Sequence, residues 1–122
     1  MDEKIDSDQQ SEPLMLYLKK KIEEYSKRPE IMEKLSGIEA SVQVRPVDDK
    51  PFFLRVSGGF IEINEGELID PLVTVIARKN DLKKLIDREA DPFVYYFAGK
   101  IRVTGRVFEA AELLRILLKE IK

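Results

Sequence analysis

The sequence predicts an α+β domain: a five-stranded, mostly antiparallel sheet with helices packed on one face. Three observations carry this. Five short segments alternate apolar and polar side chains with the period of two that half-buried strands require. Segments of helical period precede the first strand, separate the fourth from the fifth, and follow the fifth. Glycines and prolines stand between these segments, where the chain must change direction.

Residues 1–11 are acidic and nearly free of apolar side chains. They cannot offset their own ordering entropy and are expected to form a mobile tail, leaving residues 12–122 as a single domain. Ser11 is placed to cap the first helix, with Pro13 in its first turn and Leu14, Leu18, Ile22 and Tyr25 along one face. Pro29 ends that helix and opens a short second one, which turns Ile31, Met32 and Leu35 inward and stops at Gly37.

In the first strand Ile38, Ala40, Val42 and Val44 alternate with Glu39, Ser41, Gln43 and Arg45, so the polar set is expected to face solvent. After a turn over 46–51, Phe52, Leu54 and Val56 share one face. Gly58-Gly59 supplies the two positive-φ positions of a tight hairpin. That turn sets Ser57 opposite Phe60, Val56 opposite Ile61 and Leu54 opposite Ile63. A loop with Gly66 and Pro71 leads to the fourth strand, where Val73, Val75 and Ala77 point inward. Phe53, Phe60 and Ile76 have the other parity and predict a small outer apolar patch.

Asn80 is expected to cap the next helix, with Asp81 in its first turn and Leu82, Leu85 and Ile86 as its stripe. Asp91-Pro92 opens another, with Phe93, Tyr96 and Phe97 on one face and Gly99 as its stop. The fifth strand runs between Gly99 and Gly105 with Ile101 and Val103 inward. From Val107 the period turns helical and the residues are apolar on most sides: only Glu109, Glu112, Arg115, Lys119 and Lys122 form a polar strip. Covering one sheet face needs less than this, so the last helix is expected to be contacted from two sides.

Composition excludes several function classes. Lys and Arg total 21 against 23 Asp and Glu, so no global field draws the chain to nucleic acid. There is neither cysteine nor histidine, which removes thiol nucleophiles, disulfides, zinc clusters and imidazole bases together. Neither metal nor other cofactor is expected, and catalysis is not. Asp87, Glu89 and Asp91 lie in a polar turn, and Gly58-Gly59 lacks the lysine and helix of a phosphate loop. No apolar run reaches the ~20 residues of a membrane span, and the acidic start is unlike a signal peptide, so a cytoplasmic protein is expected. The scarcity of Asn and Gln predicts heat tolerance.

The run Phe97-Ala98-Gly99-Lys100-Ile101-Arg102-Val103-Thr104-Gly105, followed by a helix with Ala110 and Leu114, resembles the signature of the sterol carrier protein 2 (SCP2-like) lipid-transfer family. Val73-Thr74-Val75, then Asn80-Asp81-Leu82 and Leu85, fits the same pattern, and the similarity spans residues 36–118. The chain departs from it at Arg106, where relatives commonly carry an acid, and at Ala111-Glu112, where methionine is frequent. The resemblance implies a strand order of 3-2-1-4-5 and an apolar tunnel between sheet and helices that holds a fatty acyl chain, an acyl-CoA, a sterol or a phospholipid. Candidates for its lining are Phe52, Leu54, Ile61, Leu82, Ile86, Phe93, Phe97, Ile101, Val107, Ala111, Leu114 and Leu118. Arg78, Lys79, Lys83 and Arg106, near helix starts, are the candidates to meet a head group. A second reading, from a different class, is an interaction module without ligand whose broad last helix or outer patch builds a homodimer.

Overall fold

The computed structural model describes residues 12–111. Its elements are α1 (Leu14–Tyr25), α2 (Pro29–Leu35), β1 (Ala40–Pro46), β2 (Phe52–Ser57), β3 (Phe60–Glu65), β4 (Val73–Ala77), α3 (Lys79–Ile86), α4 (Pro92–Phe97) and β5 (Ile101–Gly105). Helix resumes over 107–111. The strands form one sheet in the order β3-β2-β1-β4-β5, antiparallel throughout except for the parallel pair β1 and β4. This is the α+β class and the strand order expected above.

The β2–β3 hairpin is as its turn residues dictate. Gly58 and Gly59 take φ of 59° and 86°, and Ser57 pairs with Phe60, Val56 with Ile61 and Leu54 with Ile63. Successive ladders then place Ala40, Val42 and Val44 of β1, Val73, Val75 and Ala77 of β4, and Ile101 and Val103 of β5 on the same side as Phe52, Leu54 and Val56. The helices cover this side. Leu14 of α1 and Leu82 of α3 bury themselves against Val44, Phe52, Ala77 and Ile101. Ile31 and Leu35 of α2 make a second cluster with Val56.

The other sheet face differs from expectation at Gln43, which is 1% exposed rather than solvated. The chain has no helix with which to travel from edge strand β3 to β4, so its connection crosses the outer face and covers β1. Gln43 holds that connection: its Nε2 donates to the carbonyls of Phe52 and Gly66, both at 3.0 Å, and its Oε1 accepts from Leu68 N–H at 2.7 Å. Arg45 adds an ion pair to Glu67. Nor do Phe53, Phe60 and Ile76 form one patch. Phe53 shares a cross-strand row with Gln43, Ile76 pairs with Arg45, and Phe60 stands at the hairpin end.

Two helix starts are capped from a distance rather than locally. α1 begins at Leu14 with Pro13 at the cap position and no local side-chain cap, and Leu14 N–H donates to Asp49 Oδ2 at 2.8 Å. Ser11 lies outside the described residues. α3 begins at Lys79, so Asn80 is inside the helix, and Lys79 N–H donates to Asp48 Oδ1 at 2.8 Å. Adjacent aspartates of the β1–β2 turn thus satisfy orphan donors on two helices that meet above that turn. Only α4 is capped as read, by Asp91 accepting from Phe93 N–H at 2.8 Å. α2 ends without a left-handed glycine: Ser36 Oγ donates to Glu33 O, and Gly37 does not take positive φ.

Candidate functional site

The two buried clusters lie towards opposite ends of the sheet, and the strip between them is only half-covered. Ile63, Leu54 and Val42 follow one another across β3, β2 and β1 in direct register and meet the buried Val73 on β4, while Val75 and Val103 lie one row nearer the main cluster, level with Val44 and Phe52. Ile63, Leu54, Val42, Val75 and Val103 are half-buried aliphatics packed against the main cluster, on the helix side of the sheet. After β5 the chain turns back at Arg106 and re-enters helix, with Ala110 N–H donating to Arg106 O at 3.0 Å. Val107, Ala110 and Ala111 of this turn are half-buried.

The turn-back depends on Gly105. It has φ of 105°, and a Cβ there would lie 2.5 Å from Leu72 O. Arg106 N–H donates to that carbonyl at 2.9 Å, while Leu72 N–H reaches Ser41 O at 3.0 Å. The loop before β4 and the exit from β5 are therefore stapled at one point, which sets where the last helix starts.

The expected lining residues divide into groups. Phe52, Leu82 and Ile101 are wholly buried in the main cluster, with Leu54 and Ile86 packed on it. Ile61 belongs to the second cluster. Val107 and Ala111 are half-buried on the returning helix. Phe93 and Phe97 turn away from the sheet and are exposed, because Tyr95 is the α4 side chain that meets the core. Leu114 and Leu118 lie outside the described residues. Val42, Ile63, Val75 and Val103 were not among the expected lining residues, although strand alternation turned Val42, Val75 and Val103 inward and the hairpin register set Ile63; their alignment with one another comes from non-local pairings.

The expected head-group cations do not form a cluster. Arg78 and Lys79 follow the Ala77 end of β4, and Arg106 follows Gly105, which pairs with Val73 at the opposite end. Lys79 is buried with its ammonium 3.4 Å from Asp49, so it serves the helix junction. Burial alone would raise the Asp49 carboxyl; the N–H bonds from Leu14 and Lys50 and the Lys79 charge outweigh it and hold the group below its ordinary value. Lys83 Nζ lies 4.7 Å from the Tyr17 ring centre. The Tyr17 hydroxyl donates to Asp87, and this bond above all, with burial and the carboxylate charge, pushes its pKa up to about 12.

Two surface depressions lie apart from the strip, and none of its residues lines either. One, of about 280 Å³, lies beside the first turn of α1 between Pro13, Met15, Pro51 and Phe52, with Asp49, Lys50 and Glu65 at its rim. The other, of about 360 Å³, is polar and holds Arg55 and Arg106 with Glu39 and Asp70 near the Gly105 staple. Among the described residues there is no group of three or more His, Cys, Asp or Glu placed to hold a metal, and no helix long and apolar enough to cross a membrane.

Comparison with known proteins gives a family and a set of similar folds. The family described as the SCP-2 sterol transfer family matches residues 18–117. No curated protein matches the chain. Among solved structures, the inverting sec-alkylsulfatase Pisa1 from Pseudomonas sp. superposes with a TM-score of 0.63 at 18% identity, over 70% of this chain. The chain spans only 14% of that enzyme's length. Sterol carrier protein 2 from Yarrowia lipolytica, in its apo form, gives a TM-score of 0.55 at 15% identity and covers 84% of this chain and 85% of its own. Palmitated SCP2L2 from Aedes aegypti gives 0.53 at 15% identity, over 71% of this chain and 86% of its own.

Proposed function

The chain belongs to the SCP-2 sterol transfer family, and from that premise we propose that it holds one fatty acyl chain or comparable lipid between the sheet and the last helix, without chemical change. The observation that carries this is the half-buried aliphatic surface on the helix side of the sheet, Ile63, Leu54 and Val42 in one row and Val75 and Val103 in the next, together with a helix after Gly105 that has alanines at 110 and 111. Each methylene moved out of water onto such a strip is worth ~0.8 kcal/mol, so an acyl chain needs no specific polar contact to be held. The palmitated Aedes protein of similar fold supports an acyl cargo. Proposed lining residues are Leu54, Ile86, Val107 and Ala111 with the strip, above the buried floor of Phe52, Leu82 and Ile101; Leu114 and Leu118 complete the proposal from sequence. The absence of histidine and cysteine supports a carrier rather than a catalyst.

Ala111→Trp tests this. The indole fills the proposed space, so binding of a fluorescent fatty acid is expected to weaken at least about tenfold while the far-ultraviolet circular dichroism is kept. Unchanged affinity in a folded variant would place the cargo elsewhere. Solvent extraction of gently purified protein, followed by lipid analysis, identifies what is carried.

A further inference from the structure

Helices α1 and α3 lie against one another over the sheet, and polar side chains close the outer side of the seam between them. Tyr17 Oη of α1 donates to Oδ1 of Asp87, the residue that ends α3, at 2.6 Å, and Lys21 Nζ lies 3.5 Å from the same oxygen. Lys83 of α3 sets its ammonium 4.7 Å from the Tyr17 ring centre and makes no ion pair among the described residues. One carboxylate is thus met by a hydroxyl and an ammonium, with a second ammonium beside them. Glu89 and Glu12 are felt at Tyr17 more weakly, through space. With a pKa of about 12 the Tyr17 hydroxyl keeps its proton, so it is a donor at every ordinary pH.

One residue deeper the seam is aliphatic. Leu18 follows Tyr17, Leu82 precedes Lys83 and Ile86 precedes Asp87, and all three belong to the main cluster or pack on it. Polar at the surface and aliphatic beneath, the seam has the profile of a fatty acid with its head outward and its chain inward. We propose that the α1–α3 seam receives the carboxylate head group of an acyl cargo, with Tyr17, Lys21 and Lys83 as its donors and Asp87 holding those donors in its absence. The proposal deepens the cargo reading given above and rests on it. The exchange is of like for like: a cargo carboxylate takes up the donors that Asp87 releases, and Asp87 passes to water, so no donor is left without an acceptor. The aliphatic surface holds the tail without polar contact, and the seam then tells a carboxylate from an uncharged head of similar size.

The test compares palmitate with the primary alcohol of the same chain length, because both bury the same tail. Each is titrated near neutral pH against a fluorescent probe bound to lipid-stripped protein, and circular dichroism checks that every variant is folded. The wild-type chain is expected to prefer the acid by about tenfold or more, and added salt to reduce that preference. Replacing both lysines, Lys21→Met with Lys83→Met, is expected to lower the preference about tenfold, and Tyr17→Phe alone about threefold. Asp87→Ala removes the internal competitor and is expected to raise it about threefold or more. Equal affinity of wild type for acid and alcohol would overturn the head-group site and leave the cargo reading standing, whereas binding of neither ligand would overturn the cargo reading and the seam with it. A preference retained without the two lysines would place the head group elsewhere. A preference lowered by Asp87→Ala would show that Asp87 supports the head group instead of standing in for it, and would equally overturn the proposal.

Discussion

Replacing Gln43 removes three hydrogen bonds at once and leaves the Gly66 carbonyl and Leu68 N–H on the covered outer face without that partner. Gln43→Leu is expected to cost about 2–3 kcal/mol, read as a lower urea midpoint, because orphaned groups cost more than the bonds returned. An unchanged midpoint would mean that the crossing loop does not depend on this side chain. Asp49 acts through its charge. Its folded pKa lies below the ordinary 3.8, so its stabilising contribution is complete above that value and is lost as pH falls through the folded pKa. Asp49→Asn keeps an acceptor for the N–H bonds and removes only the charge that faces Lys79 and the start of α1, so it is expected to cost about 0.3–1 kcal/mol near neutral pH, and the difference from wild type should vanish at the acid end. A difference that persists there would point to packing instead of charge. Both residues were visible as types in the sequence, but their partners were not. Gln43 had the parity of a solvent-facing residue, and Asp49 stood in a turn with nothing local to say that α1 begins above it.

At the scale of elements, the turn from β5 into the last helix rests on one glycine. Gly105→Ala puts a methyl 2.5 Å from Leu72 O in a backbone conformation that L-residues avoid. The expected cost is about 2–4 kcal/mol, since both strain and displacement of the Leu72 loop contribute. Thermal unfolding checks it, and a change below about 0.5 kcal/mol would show that the staple relaxes freely. The end of α3 is a milder case of the same chemistry. Arg88 takes φ of 63°, with Arg88 N–H bonded to Leu85 O and Glu89 N–H to Lys84 O, a left-handed stop usually filled by glycine. Elements with local punctuation were the legible ones: the Gly58-Gly59 hairpin with its register, the Asp91-Pro92 start, the Gly99 stop. Helix α4 was placed correctly along the chain but with its face reversed, since Phe93, Val94, Tyr95, Tyr96 and Phe97 are apolar all round and periodicity does not choose among them.

For the whole molecule, a cargo that binds only the folded chain must raise its stability by mass action. Palmitate at 100 times its dissociation constant is expected to add about 2.7 kcal/mol, visible as a rise in Tm that Ala111→Trp abolishes. A Tm indifferent to palmitate, in protein stripped of endogenous lipid, would argue against an acyl site. The strip that would hold such a cargo draws one residue from each strand and exists only once β1 has paired with β2 on one side and β4 on the other.

By itself the sequence determined the order of the elements and the inward faces of the strands, because side-chain parity is a local property of adjacent residues. It also determined the family, through the glycine-bounded strand and the apolar run after it. Tertiary structure alone decided which carboxylates cap which helices, which polar residue is buried beneath the crossing loop, and which aliphatics line up between the two clusters. Those outcomes depend on pairings between residues 9 to 35 positions apart, and no local pattern records which distant partner a side chain meets.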